Sequence, residues 1–245
     1  MKWPDTGYGS VERFIHARAA GRRILHIGCA GDYLDHGPEG VLHHQLSLIA
    51  GSLDGVEIQP KALARLRALV PEDAGGRIRY YLADAEDLAF LEGKSFDLIL
   101  AASIIEHLSN PGRMLRHFRS LCSPGGEIII VTPNPFGLLQ FLRVALRRNE
   151  PANPEHTSYF SPAVLTELCR RFDLEPTGWR TGYGWRPPSR AWRIKHAVGI
   201  PVLKLFPHVG GSLIGVFRPA APSGQRPAWA PEISEQASRA PWKSQ

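Results

Sequence analysis

Short stretches rich in β-branched and aliphatic residues alternate along the chain with amphipathic, helix-like segments, and this alternation restricts the fold more than any other feature. Strands that are separated by helices usually pair in parallel. The pattern therefore predicts an α/β fold built around a largely parallel sheet. Seven stretches fit a strand: 23–28, 53–58, 77–82, 96–101, 127–132, 176–181 and 212–218.

Two of the predicted helices have clear start signals. Asn110 precedes Pro111 and Ser161 precedes Pro162, so each pair places a capping side chain before a proline at the first helical position. Apolar residues then recur at a spacing near 3.6, which predicts that these helices pack one face into the core. The predicted core faces are Met114, Leu115, Phe118 and Leu121, and Val164, Leu165, Leu168, Cys169 and Phe172.

Composition excludes several classes of protein. With 43% hydrophobic and 21% charged residues the chain can bury one sizeable core, which excludes a disordered or fibrous protein. A net charge of +6 is too small to select nucleic acid, a membrane or a phosphorylated small molecule as the partner. The three cysteines, Cys29, Cys122 and Cys169, share no CxxC spacing, so neither a disulfide framework nor a zinc site is expected.

We expect a single domain in the reducing cytoplasm, because the cysteines do not suggest a disulfide framework. No apolar run approaches the ~18 residues that span a bilayer, and the first residues lack the apolar centre of a signal peptide. Residues 219–245 are rich in Pro, Ala and Ser, so we expect them to form a flexible tail outside a domain of residues 1–218.

The loop after the first strand is the first candidate for ligand binding, because ligands of doubly wound sheets bind at the carboxyl ends of the strands. A dinucleotide fingerprint would need glycines at positions 28, 30 and 33, but the chain has Gly28, Ala30 and Tyr33. An NAD-dependent oxidoreductase or epimerase is therefore disfavoured.

Acidic residues follow the second and third strands. The carboxylate of Glu57 can accept hydrogen bonds from both hydroxyls of a ribose. Asp84 can accept one from an adenine amino group, while the backbone N–H of Ala85 serves a ring nitrogen. Together these residues predict a nucleoside site.

This ordered set, with the turn Ser123-Pro124-Gly125-Gly126 before the fifth strand, resembles the class I S-adenosylmethionine-dependent methyltransferases over residues 20–180. The resemblance implies a Rossmann-like fold with seven strands, mostly parallel with an antiparallel last strand, and a cap at about 183–211. It also implies S-adenosyl-L-methionine as the cofactor. The cofactor-binding residues implied by the resemblance are Gly28, Cys29 and Ala30 (methionine and ribose), Glu57 (ribose), Ile58 (adenine face), Asp84 and Ala85 (adenine edge), and Ala101 and Ala102 (methionine end).

The chain departs from that family at two places. His26 stands where the family usually has an acid, and Ala30 and Asp32 stand where it usually has glycines. A non-catalytic nucleoside-binding or scaffold protein on the same fold therefore stays open as an alternative.

Four further segments resemble a small-molecule branch of the family whose members often act in polysaccharide or lipid-linked glycan pathways: 42–46, 104–111, 132–135 and 155–162. The resemblance implies an O-methyltransferase of a sugar or glycan-linked metabolite. An RNA methyltransferase is the other enzymatic alternative, but no RNA-binding module is apparent, so a nucleic-acid partner is not expected.

His107 and His156 are the candidate catalytic residues. The resemblance places both near the junction of cofactor and acceptor, and a neutral imidazole is a suitable general base for a hydroxyl at neutral pH. The alternatives are that His107 has only a packing or capping role and that His156 is a solvated loop residue. His43 and His44 lack a paired ligand set, so no metal site is expected.

The acceptor has to be inferred from a basic, aromatic stretch, Trp185 to Arg218, which contains no acidic residue. A predicted helix at 135–148 adds an apolar side and three arginines. Such faces suit a phosphorylated or lipid-linked acceptor, or a peripheral contact with anionic lipid at the inner membrane face. A plain cover for the sheet is the alternative.

Overall fold

The computed structural model describes residues 8–31, 40–147, 153–183, 201 and 203–220. Within them, one sheet contains eight strands: β1 (Tyr8–Ser10), β2 (Arg23–Ile27), β3 (Ser52–Glu57), β4 (Ile78–Leu82), β5 (Phe96–Ala102), β6 (Cys122–Pro133), β7 (Leu174–Tyr183) and β8 (Ser212–Pro219). The α-helices are α1 (Val11–Ala19), α2 (Leu42–Ser47), α3 (Pro60–Leu69), α4 (Pro111–Leu121), α5 (Leu138–Arg147) and α6 (Pro162–Arg170).

The order of the strands determines where the ligand crevice lies. The order across the sheet is β1-β7-β8-β6-β5-β2-β3-β4, and β8 runs antiparallel to both of its neighbours while the other pairs are parallel. The chain moves outward from β2 to β4 and returns to β5 on the other side of β2. This reversal leaves a crevice beyond the carboxyl ends of β2 and β5, where ligands of such sheets bind.

The predicted α/β fold, with seven strands and an antiparallel last strand, is confirmed. The structure adds β1, which pairs in parallel with β7 at the edge of the sheet. Sequence analysis did not predict this strand because three residues are too few to show a hydrophobic period.

Both faces of the sheet are buried, because successive residues of the central strands point to opposite sides. Leu25 and Ile99 pack with residues of α4 and α6, and Ile24 and Leu98 pack with residues of α1 and α2. The predicted core face of α4 is fully buried, and so are Leu165 and Cys169 of α6. Val164 was predicted to belong to this face but is 53% exposed.

Of the two predicted helix caps, one forms as expected. The Ser161 hydroxyl accepts a hydrogen bond from Val164 N at 3.2 Å. The Asn110 side chain makes no capping bond, because the Arg113 N–H instead donates to the backbone carbonyl of Asn110 at 3.0 Å.

Part of the predicted cap at 183–211 and nearly all of the predicted tail lie outside the described residues, among them Arg186, Arg190 and Arg193. The described end of the cap is tied to the sheet by Asn134, whose Nδ2 donates to His208 O at 2.8 Å and Gly210 O at 2.7 Å. All three cysteines are buried and unpaired. Among the helices described here, none combines the length and hydropathy of a membrane span.

Candidate active site

A pocket of about 240 Å³ opens at the carboxyl ends of β2, β3 and β4, beside the segment that follows β5. It brings together most of the residues that sequence analysis assigned to the cofactor, and it adds one of the two candidate catalytic histidines. The lining residues are Ile27, Gly28, Val56, Glu57, Ile58, Ala83, Asp84, Ala85, Glu86, Ile104, His107, Leu108 and Ser109.

Four residues assigned to the cofactor are not part of this lining: Cys29, Ala30, Ala101 and Ala102. Cys29 is 2% exposed and lies in a core cluster with Leu63 and Tyr80, and burial raises the pKa of its thiol. Ala101 is buried within the core beneath the site. Their proposed contacts with the methionine end therefore stay predictions.

Gly28 forms the sharp turn at the end of β2. Its φ is +66°, a left-handed conformation that side chains disfavour, and its N–H donates to Val56 O at 2.8 Å. A Cβ at this position would overlap the Ile104 side chain, lying 2.7 Å from its Cγ1. The absence of a side chain thus lets Ile104 close one wall of the pocket.

We expect Gly28→Ala to weaken the binding of S-adenosylhomocysteine, the demethylated form of the predicted cofactor, by about tenfold, or about 1.4 kcal/mol. The added methyl group would push Ile104 into the pocket. Gly21→Ala is the matched control, because Gly21 has φ +70° but no atom within 4 Å of the added Cβ. Both variants should lose about 1–2 kcal/mol of stability from backbone strain, but calorimetry should show weaker binding in Gly28→Ala alone. Equal affinities of the two variants would contradict this role.

Glu57 ends β3 and holds two neighbouring segments in place. One carboxylate oxygen accepts from Ala30 N at 3.2 Å and the other from Gln59 N at 3.0 Å, so the carboxylate links the loop after β2 to the start of α3. Each oxygen keeps a lone pair for a further donor. The side chain is therefore fixed in position and still able to accept the hydroxyls of a ribose.

The lining of the pocket also contains one polar and one apolar side chain suited to an adenine, Asp84 and Ile58. Asp84 is exposed, and its Oδ1 accepts from Glu86 N at 2.8 Å, which fixes the turn after β4. Ile58 is 60% exposed although it is aliphatic. An exposed apolar side chain in a pocket wall suits the flat face of an aromatic ring.

At the other end of the pocket, the structure brings the two candidate catalytic histidines together. Thr157 N and Oγ1 donate to Glu106 O at 2.8 and 3.1 Å, and Thr157 Oγ1 also lies 2.9 Å from Leu108 O. These bonds hold the loop before α6 against the short 3₁₀ helix Ile105–His107. As a result the rings of His107 and His156 meet edge to face, with centroids 4.7 Å apart.

Glu106 completes this group and was not assigned a catalytic role by sequence analysis. It is fully buried, and neither carboxylate oxygen has a hydrogen-bond partner among the described residues. Burial raises the pKa of Glu106 to about 7. Burial and the neighbouring His107 lower the pKa of His156, whose Nδ1 is buried without a partner.

His26, which stands where the resembled family has an acid, does not line the pocket. It is 3% exposed, and its Nδ1 lies 3.1 Å from Nδ1 of His43 on α2. Burial lowers the pKa of His26 to about 3. The departure from the family pattern is therefore accommodated inside the core.

Comparisons with known proteins show similarity to methyltransferases. Residues 34–130 match a family model described as a methyltransferase domain. The chain is 28% identical over 195 residues to the ubiquinone biosynthesis O-methyltransferase of Nitrosococcus oceani, covering 77% of this chain and 78% of the relative. The corresponding protein of Thiobacillus denitrificans is 25% identical over 200 residues, covering 80% and 78%.

Solved structures of the same fold include methyltransferases. An S-adenosylmethionine-dependent methyltransferase from Mesorhizobium loti has a TM-score of 0.56 at 18% identity, covering 84% of this chain and 95% of that one. The N-methyltransferase NodS from Bradyrhizobium japonicum, in complex with S-adenosylhomocysteine, has a TM-score of 0.53 at 15% identity, covering 85% and 87%. These likenesses confirm the predicted fold.

Proposed function

We propose that this chain, an S-adenosylmethionine-dependent methyltransferase, transfers the methyl group of its cofactor to a hydroxyl oxygen of a small-molecule acceptor. The observation that carries the proposal is that one pocket is lined by Gly28, Glu57 and Asp84, the residues expected around the nucleoside, and also by His107. The names of the matched relatives support oxygen as the methylated atom.

The residues have limited chemistry to perform, because the sulfonium already activates the methyl carbon. The acceptor oxygen attacks that carbon as its bond to sulfur breaks, and the products are a methyl ether and S-adenosylhomocysteine. Holding the acceptor in line supplies much of the acceleration. The hydroxyl must also lose its proton, and Glu106, His107 and His156 are the groups placed to promote that loss.

For the acceptor itself, an apolar part is supported by a surface on α5. Leu142 and Leu146 of the predicted apolar side are 39% and 80% exposed, so both face outward rather than covering the sheet, and Phe141 beside them is 65% exposed. Phe206 adds a further exposed ring. We extend the proposal to an acceptor with a long apolar or lipid-linked part, which these side chains would contact at a membrane surface. Recognition of phosphate by Arg190 and Arg193 remains a prediction.

Two acceptor classes carry a suitable hydroxyl. The sequence resemblance predicts a sugar or glycan-linked metabolite, while the relatives are named for ubiquinone biosynthesis, which supports a phenolic ring with an apolar tail. The names of the relatives favour the second class, whereas the apolar face of α5 suits a prenyl tail or a lipid-linked sugar better than a soluble sugar.

The test is transfer of a trideuterated methyl group from labelled S-adenosylmethionine to a panel of acceptors, followed by mass spectrometry. The panel contains prenylated catechols, lipid-linked sugars, soluble sugar nucleotides, tRNA, and amine analogues in which each hydroxyl is replaced. We expect one labelled methyl group on a prenylated catechol, no transfer to its amine analogue, and faster transfer with phosphatidylglycerol vesicles. Methylation of nitrogen or of tRNA alone would overturn the proposal.

A further inference from the structure

Glu106, His107 and His156 form a group with the composition of a metal site. One potential ligand atom from each lies within 4.8 Å of the other two, and among the described residues no other set of three His, Cys, Asp or Glu side chains meets this condition. Sequence analysis predicted no metal site, because His156 reaches the group only through the fold of the loop before α6.

A second observation concerns the hydrogen bonding of buried polar atoms in this group of three residues. Both oxygens of Glu106 and Nδ1 of His156 are buried and make no hydrogen bond of normal geometry within the described residues, although the Thr132 hydroxyl lies close enough to Glu106 to act on its carboxyl. Buried polar atoms in proteins are nearly always paired, and a buried carboxylate without a partner is costly. A cation held between Glu106, His107 and His156 would give a partner to the buried carboxylate and to an imidazole nitrogen beside it.

We propose that Glu106, His107 and His156 bind a divalent cation of the first transition series at the acceptor end of the pocket. Two imidazole nitrogens and one carboxylate are a ligand set typical of Zn²⁺, Mn²⁺ or Fe²⁺, whereas Mg²⁺ prefers oxygen ligands. Three protein ligands leave coordination positions free for a substrate. Because His107 also lines the pocket, such a position is accessible from the side on which the acceptor would lie.

The role of the cation in methyl transfer rests on the proposed function, whereas its binding does not. A hydroxyl oxygen bound to the cation has a lowered pKa, so its proton leaves to solvent water at neutral pH. The resulting oxyanion attacks the methyl carbon, the carbon–sulfur bond breaks, and its electron pair stays on the sulfur of S-adenosylhomocysteine. In this arrangement the two histidines act as ligands rather than as general bases.

The experiment is calorimetric titration of the purified, chelator-treated protein with ZnCl₂ and MgCl₂ in the absence of acceptor. We expect one Zn²⁺ per chain and much weaker Mg²⁺ binding. Glu106→Gln and His156→Ala should each weaken Zn²⁺ binding by at least about tenfold. His16→Ala is the control, because His16 is an exposed histidine on α1, and its Zn²⁺ affinity should equal that of the wild type. The visible absorption of Co²⁺-loaded protein should lose intensity in the same two variants.

Absence of Zn²⁺ binding in the wild type would overturn the inference, as would unchanged affinity in both ligand variants. If Glu106→Gln does not fold, as judged by circular dichroism, His156→Ala carries the test, because His156 lies on a half-buried loop. Full methyl transfer by the chelated protein would overturn the role of the cation while leaving O-methylation intact. Methylation of nitrogen would overturn O-methylation while leaving Zn²⁺ binding intact.

Discussion

Lowering the pH from 8 to 5 is expected to reduce the contribution of His26 to folding stability by about 2 kcal/mol, and His43 should add a loss in the same direction. Both side chains are buried, and burial lowers both pKa values, that of His26 to about 3. In the unfolded chain both return to about 6.5. Their contribution is therefore complete above pH 6.5 and is lost as the pH falls, by about 2 kcal/mol for His26 at pH 5 and in the same direction for His43.

The geometry explains why neither ring accepts a proton readily. The two Nδ1 atoms lie 3.1 Å apart, so one ring donates and the other accepts, and a proton added to the accepting Nδ1 would place two donors face to face. The neighbouring groups offer no counter-charge: burial raises the pKa of both Cys29 and Tyr80, which stay neutral in acid.

A double variant tests this expectation. In His26→Asn with His43→Asn, two amides can still bond to each other but do not titrate in this range, so urea unfolding should show a smaller loss of stability between pH 8 and pH 5 than in the wild type. His16→Asn, at an exposed position, is the control and should follow the wild type. Glu106, whose pKa is raised to about 7, changes stability in the opposite direction. The measured quantity is therefore the difference between proteins, and parallel profiles would contradict the prediction.

Much of the fold could be predicted because it depends on local patterns. The alternation of strand and helix predicted the seven main strands, and Ser161 before Pro162 predicted the start of α6. Where the prediction failed, the signal was too short or tertiary packing decided the outcome. β1 has three residues, and Val164 has the helical spacing of a core residue but lies on the exposed side of α6.

Within the candidate site, too, some residues could be predicted from local sequence patterns and others could not. Gly28, Glu57 and Asp84 could be predicted because the carboxyl ends of β2, β3 and β4 converge whatever the side chains are. The other pairings depend on how distant segments pack. His26 meets His43 only because α2 packs under β2, and His156 meets His107 only because Thr157 bonds to the backbone of the 105–108 segment. No spacing in the sequence indicates either pair.

His107→Ala and His156→Ala should each lower the turnover of a hydroxyl acceptor by about 10²–10⁴-fold while the affinity for S-adenosylhomocysteine changes little. Loss of activity in both variants is expected because the two histidines, together with Glu106, are proposed to act as one unit in ionisation of the hydroxyl. The turnover is measured with the acceptor that the experiment with trideuterated S-adenosylmethionine identifies.

Comparing the turnover of the two histidine variants with that of Glu106→Gln distinguishes a single general base from three residues that act as one unit. If a single imidazole accepts the proton, only one histidine variant should lose activity, and Glu106→Gln should keep most of it. If the three residues act as one unit, each single variant should lose nearly as much as the triple variant, because effects within a unit are strongly non-additive. The edge-to-face contact of the rings, and the buried carboxylate beside them, favour the second outcome. Near-normal turnover of both histidine variants, with His16→Ala as the reference, would show that positioning of the acceptor alone accounts for catalysis.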